Sequence, residues 1–314
     1  MINVEGAFTP KTKSINDFYQ EPGIGFYIPL YQREYSWDKE NMNQLIEDIS
    51  NGIENVTTDE DEIRFLGTII TVKEDNPDNK IEPCDPQGLP PRIDTVIDGQ
   101  QRISTIALLA TQIHHILLKH EKILPEGREE TEELKEIINV WKDKLKDLFS
   151  LDLKRGEPTR KPKIIRSSWD KWVKKGKTDD NYTSEVTNFL AKYIDFIEEK
   201  TDEPPEPIKK HSPVKDNIEI IKDWLENTVA NSHLNEESDF LSANEILAKI
   251  KESNVWQYQR DSLKEIIENE TDDLGSNACS LLQIFSVCHY LLDRCCFTKI
   301  EPTREDWVLI YFNL

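Results

Sequence analysis

The sequence predicts an α+β fold: a mixed strand-and-helix part over residues 1–122, then a mostly α-helical part over 123–314. Three observations carry this. Up to about His120, β-branched runs such as "IRFLGTIITVKE" and "RIDTVI" alternate with helical patterns. Beyond His120, apolar residues recur at helical spacing in nearly every segment. The chain has 314 residues, 37% of them hydrophobic and 32% charged. That is enough for two domains, or for one domain with a large helical extension.

In chain order, "FYIPLYQREYSW" opens with a short extended run, because Pro29 biases Ile28 away from helix. "DKENMNQLIEDISNGIEN" is predicted to be a helix with Asp38 as its N-cap and Leu45, Ile46, Ile49 and Ile53 as its apolar stripe. "IRFLGTIITVKE" reads as a strand, "EDNPDNKIEPCDPQGLPP" as an exposed turn-rich connection, and "RIDTVI" as another strand. A helix from about Gln100 to Lys119 follows at once. Helices are then expected in "EETEELKEIINVWKDKLKDLF", "TSEVTNFLAKYIDFIEEK", "VKDNIEIIKDWLENTVANS" and "SANEILAKI". "SNACSLLQIFSVCHYLLDRC" is more apolar and is expected to be a buried helix. "CCFTKI" reads as a strand, and "TREDWVLIYFNL" as the start of a further helix. That ending has no cap and no polar tail, so the chain is expected to be a piece of a longer polypeptide. The alternative is an apolar C-terminus docked in a groove.

The net charge of -21 argues against a general affinity for nucleic acid, since phosphate contacts need Lys and Arg. The charge is uneven, however. Between Trp141 and Lys177 there are thirteen Lys/Arg against five Asp/Glu. Lys161, Lys163 and Arg166 of this island are candidate DNA contacts; a solvated basic loop is the other reading. No apolar run reaches membrane-spanning length and the N-terminus lacks a signal-peptide layout, so no membrane partner is expected and the cytoplasm is the default location. Five cysteines without a C-x-x-C pair argue for buried thiols rather than disulfides or a zinc ribbon. His114 and His115 are adjacent and point to different helix faces, so they do not make an i, i+4 metal pair. No metal ligand set is assigned.

The stretch "VIDGQQRISTIALLA" places Asp98, Gly99, Gln100, Gln101 and Arg102 at a strand-to-helix corner. The first amides of a helix have no internal partner, and the macrodipole adds partial positive charge, so anions settle there. Gly99 lets the backbone approach a ligand, and Arg102 can offer a bidentate fork to phosphate. Asp98 can cap the helix, hold a metal through oxygen, or position a water. Gln100 and Gln101 offer neutral amide contacts. The plain alternative is a capped helix with Arg102 in a surface ion pair. A second cluster, "YQREYSW", puts Gln32 and Arg33 after an extended run, with Tyr31, Tyr35 and Trp37 as stacking surfaces. Neither a P-loop nor a G-x-G-x-x-G fingerprint is present.

Together, "IPLYQREYSW", "FLGTII" and "VIDGQQRISTI", in this order and spacing, resemble the N-terminal domain of GmrSD-type, modification-dependent (type IV) restriction proteins. The resemblance is strong over the first 110 residues, moderate over the last 30 and weak between. It implies a ParB/sulfiredoxin-like fold for 1–122 and an α-helical domain for 123–314. It also implies NTP binding and hydrolysis at the D-G-Q-Q-R corner, coupled to recognition of modified phage DNA in antiviral defence. On this resemblance Asp98, Gln100, Gln101 and Arg102 are the candidate catalytic residues. Tyr31, Gln32, Arg33, Gly67, Gly99, Arg102 and Thr105 are the candidate nucleotide-binding ones. The nucleotide (GTP, ATP, UTP or CTP) is left open, and Mg²⁺ is the expected companion ion. Relatives often carry a C-terminal HNH-type nuclease domain, whose His/Asn cluster this chain lacks, so a nuclease domain or subunit is an expected partner, and a homodimer is one arrangement left open. The family continues after "FTKIEPTREDWVLIYFNL" into an N-x-R-G stretch that this sequence does not contain. Two other readings stand: a ParB-like nucleotide- or DNA-binding module without turnover, and a helical interaction protein.

Overall fold

The computed structural model of the chain describes residues 8–74, 88–152, 160–173, 178–234, 238–253, 261–269 and 272–302. The helix expected over 303–314 and most of the turn-rich connection after Glu74 lie outside them.

The polypeptide begins with strand β1 (Phe8–Ser14) and a short helix α1 (Ile15–Tyr19), capped by Ser14, whose hydroxyl accepts from the Asp17 amide. Strand β2 (Ile24–Ile28) is buried along its whole length. Helix α2 (Lys39–Val56) starts at Asp38, whose carboxylate accepts from the Asn41 amide at 3.0 Å, as the sequence predicts. Strands β3 (Arg64–Lys73) and β4 (Arg92–Asp98) follow, then helix α3 (Gln100–Lys122). Helix α4 (Glu129–Phe149) leads into three short strands, β5 (Ser150–Asp152), β6 (Arg160–Pro162) and β7 (Ile164–Arg166). Helices α5 (Thr178–Asn181), α6 (Glu185–Ile197), α7 (Pro213–Asp223), α8 (Ala243–Ser253), α9 (Asp261–Asn269) and α10 (Asp273–His289) complete the helical part. Helices α7 and α10 each run on into a π-helical turn, Trp224–Val229 and Tyr290–Arg294. The last described element is strand β8 (Cys295–Pro302).

Six strands form one mixed sheet in the order β1–β8–β3–β4–β2–β7. Strands β3 and β4 are antiparallel, with Ile70 opposite Asp98. Strand β2 runs parallel to both β4 and β7. Strand β8 enters between β1 and β3, parallel to β3, and the register shifts between Phe65 and Thr68. Two strands of this sheet, β7 and β8, therefore come from beyond residue 122. The α+β class read from the sequence is the class of the structure.

The sheet presents Phe26, Ile69, Val96 and Phe297 to one continuous apolar core shared with the helices. Helix α3 is the axis of that core. Its residues Ile103, Ile106, Leu109, Ile113 and Leu117 are buried, and so are Ala107, Leu108 and Ala110 on the other sides. A helix apolar on all faces has to be enclosed, and α4, α6, α7 and α10 pack around it. Among the described residues no helix is long and apolar enough to cross a membrane. The core side of the sheet also holds an ion-pair network. The Lys299 ammonium lies 2.7 Å from fully buried Asp94, and Arg92 joins Asp94, Glu21 and Glu301 at 3.0, 2.9 and 2.8 Å. The opposed charges offset each other's desolvation.

Candidate functional site

Strand β4 ends at Asp98, and the chain turns into α3 through Gly99, whose φ of +93° is left-handed. A side chain at Gly99 would overlap Ile69, so the corner is built for glycine on both backbone and packing grounds. Gly99 is itself the capping position and no side chain caps this helix end. Asp98, offered by the sequence as a cap, instead lies exposed one residue too early to reach the first-turn amides. The first helical bond runs from the Ile103 amide to the Gly99 carbonyl at 3.1 Å, which leaves the preceding amides without intrahelical partners.

Residues 29–37 form a loop held over this corner by side chains from four places. Gln32 donates through Nε2 to the Ile97 carbonyl at 2.6 Å. Gln100 donates to the Arg33 carbonyl at 2.7 Å. Gln101 donates to the Glu34 carbonyl and accepts from the Ser36 amide, both at 2.9 Å, so its carboxamide pairs with the loop as a peptide group would. The Arg166 guanidinium, at the end of β7, donates to the Gln32 and Arg33 carbonyls. Asn217 of α7 donates to the Tyr35 hydroxyl and the Trp37 carbonyl, both at 2.9 Å. Tyr35 shares a 2.9 Å hydrogen bond with Thr105, and burial pushes its phenol up to about 12.

Between loop and corner lies a cleft of about 170 Å³. Gln32, Arg33 and Trp37 line one side, Asp98, Gly99 and Arg102 the other, with Gln100 and Gln101 between. Its lining carries two guanidiniums and one carboxylate, +2 and -1, a formal +1 on a chain of net -21. Arg102 makes one long hydrogen bond, 3.3 Å to the Thr68 carbonyl. Among the described residues neither the Arg33 guanidinium nor the Asp98 carboxylate has a side-chain partner. A helix start without a cap, two lightly engaged arginines and an unpaired carboxylate facing one cleft suit a polyanion and an accompanying cation.

A family model described as GmrSD restriction endonuclease, N-terminal domain, matches residues 15–312. The chain belongs to that family. No curated protein matches it. Membership makes this GmrSD N-terminal domain a component of a type IV restriction system; the family acts on modified DNA with a nuclease partner domain.

Within the GmrSD domain, the residues singled out by sequence divide into three groups. Gln32, Arg33, Asp98, Gly99, Gln100, Gln101 and Arg102 meet at the cleft. Gly67 stands beside it, with φ +115° in the irregular stretch of β3, and a Cβ there would come 2.7 Å from the Arg102 Nε. Tyr31 and Thr105 are not among the lining residues. Tyr31 is 52% exposed, whereas Thr105 is fully buried beneath the loop.

The three basic candidates do not share a face. Lys161 is partly buried on β6. Lys163 is 4% exposed, with its ammonium donating to the Tyr19 carbonyl and lying 5.9 Å from the Tyr19 ring centroid. Burial brings its pKa down to about 8. A DNA phosphate cannot reach it there, because the ammonium is turned inward against the Tyr19 carbonyl and ring. Arg166 is tied to the motif loop, and belongs to the architecture of the cleft.

Asn217 escaped the sequence reading. Its signal is an amide in the apolar stripe Val214–Asn217–Ile218–Ile221 of α7, where a buried polar group needs partners. The cysteines described (Cys279, Cys288, Cys295, Cys296) are buried free thiols, as expected, and burial raises Cys288 and Cys295. His114 is buried and bonded to the Tyr193 hydroxyl at 2.9 Å, while His115 is half-buried.

Proposed function

We propose that this domain binds a nucleoside triphosphate at the Asp98–Arg102 corner and hydrolyses it, and that turnover is coupled to recognition of modified DNA by the restriction system. One observation supports the reading above the rest: Arg33, Arg102, Asp98 and the uncapped start of α3 all face one cleft. At about 170 Å³ the cleft is smaller than the roughly 300–1,000 Å³ of a pocket enclosing a whole small ligand. It is matched to the phosphate chain, with the nucleoside left outside.

In this reading the first amides of α3 and the Arg102 fork bind the phosphates, and Arg33 reaches them from the loop. Charge gathering on the transferring phosphoryl group is met by the two guanidiniums, which are free to turn toward it. Water attacks the terminal phosphorus, the bridging P–O bond breaks, and nucleoside diphosphate and phosphate leave. Asp98 fits Mg²⁺, being an exposed carboxylate at the cleft; Mg²⁺ takes one or two carboxylates and completes its shell with phosphate oxygens and water. When bound it would supply charge neutralisation. Gln100 and Gln101 act as positioning residues, since their amides hold the loop that carries Arg33.

The test is phosphate release from GTP, ATP, UTP and CTP with Mg²⁺, with and without modified DNA. Arg102→Ala should abolish release while the melting temperature stays close to that of the parent. Undiminished release overturns the assignment. A second reading, a nucleotide clamp without turnover, is favoured by one observation: both glutamine amides donate to main-chain carbonyls of the loop, which gives them a structural part in the site. Calorimetric binding of NTP without phosphate release would select it.

A further inference from the structure

Across the 32–36 loop from the first cleft lies a second hollow of about 100 Å³. Its walls include Glu34 and Tyr35 of the loop, Arg166, Trp169, Glu185 at the start of α6, and Ile208. Loop and Arg166 form the partition between the two hollows.

Trp169 is 45% exposed. The backbone that carries it is held on both sides. Ser168 before it holds a left-handed backbone, φ +63°, which non-glycine residues rarely adopt. Asp170 after it is 1% exposed and accepts four hydrogen bonds: from the amides of Arg166, Thr183 and Ser184 at 2.8, 2.9 and 2.8 Å, and from the Ser184 hydroxyl at 2.5 Å. The Trp169 carbonyl accepts from the Thr183 amide at 3.2 Å. A left-handed residue and a buried, saturated carboxylate thus fix the backbone on either side of a half-exposed indole. An indole held half out of the fold at the edge of a hollow has the form of a stacking platform.

The hollow's polar groups narrow the ligand. Glu34 and Glu185 offer carboxylates, each 3.6 Å from the ammonium of Lys209, which also lines the hollow; Glu185 already accepts from the Ser212 hydroxyl, which leaves Glu34 as the more open acceptor. Carboxylates only accept hydrogen bonds, so they suit a flat ring that carries amino or ring N–H donors. We propose that this hollow is a nucleobase site, in which an amino-bearing base stacks on Trp169 with its donors toward Glu34. The base belongs either to the nucleotide whose phosphates occupy the first cleft or to DNA strand presented to the domain. The first case rests on the function proposed above; the second does not. Because Arg166 also donates to the Gln32 and Arg33 carbonyls, a base seated here bears on the loop that carries Arg33.

The test compares parent, Trp169→Ala and Trp169→Phe by calorimetry with three probes: an NTP, inorganic tripolyphosphate, and a single-stranded oligonucleotide. Loss of one stacked base is expected to weaken binding about tenfold. If Trp169→Ala weakens the NTP and spares tripolyphosphate, with Trp169→Phe restoring affinity, the base is the nucleotide's. If only the oligonucleotide is weakened and Phe restores it, the base is DNA's. If neither base-bearing probe is weakened, or if tripolyphosphate is weakened equally, the site is overturned. Failure of tripolyphosphate and NTP to bind the parent would instead sink the phosphate cleft and leave the oligonucleotide arm standing.

Discussion

Gly67 and Arg102 are fitted to each other: a methyl group on Gly67 would stand 2.7 Å from the Arg102 Nε and 3.0 Å from its Cζ. The guanidinium lies along a strand that has no side chain at that point, and the same residue takes φ +115° where β3 shifts register. Sequence places the two residues thirty-five positions apart; the bulge in β3 makes them one feature.

Gly67→Ala should therefore act twice. The left-handed backbone costs about 1–3 kcal/mol for a residue with a Cβ, and the methyl displaces Arg102 from its place at the cleft. The expected outcome is a lower melting temperature together with weaker NTP binding. Thermal denaturation and calorimetry on one preparation check it, and an unchanged affinity would show that the position of Arg102 does not matter.

The motif loop hangs on Gln101 and Asn217. Truncating either to Ala leaves loop carbonyls and amides without their partners, at a cost of about 1–3 kcal/mol for a buried group. Protease cleavage within 30–37 should speed up in both variants, and nucleotide KM should rise more than kcat falls. Asn217 is fully buried in a helix far from the cleft in sequence. An effect of Asn217→Ala on KM would thus identify α7 as a support of the site, and an unaffected loop and KM would remove it from that role.

Lys163 gives a pH prediction. Its pKa is about 8 in the fold against an ordinary lysine value of 10.5, with burial as the main cause, Asp147 and Glu21 opposing it and Arg160 adding to it. Between these values the unfolded chain binds more protons at this position than the folded chain does. Stability contributed by Lys163 therefore rises with pH across roughly 8 to 10.5, and the penalty is fully present below 8. Lys163→Met should lack that alkaline rise. Urea denaturation of parent and variant at pH 7, 9 and 10 measures it; parallel curves would mean that the ammonium is solvated. The same variant should bind DNA as the parent does.

Much of this molecule could be read residue by residue. Asp38 announced the start of α2, the β-branched run announced β3, and the apolar pattern after Gly99 announced a helix, because caps, strand propensity and helical periodicity are local properties. Strand β1, "FTPKTKS", gave no such signal, since an edge strand with exposed side chains needs no apolar alternation. Strands β5, β6 and β7 are three residues each, too short for any period to show.

The sequence by itself determined the α+β class, the strand-to-helix corner at Asp98–Arg102 and the chemistry those side chains can offer. Tertiary structure alone decided that β8 enters between β1 and β3, that Lys163 turns inward while Arg166 grips the motif loop, and that Asn217 supports Tyr35 from another helix. The reason is physical. Capping and periodicity act over a few residues, whereas strand order, burial of a charge and the partners of a buried amide depend on groups brought together from distant parts of the chain, where many pairings are compatible with one local pattern.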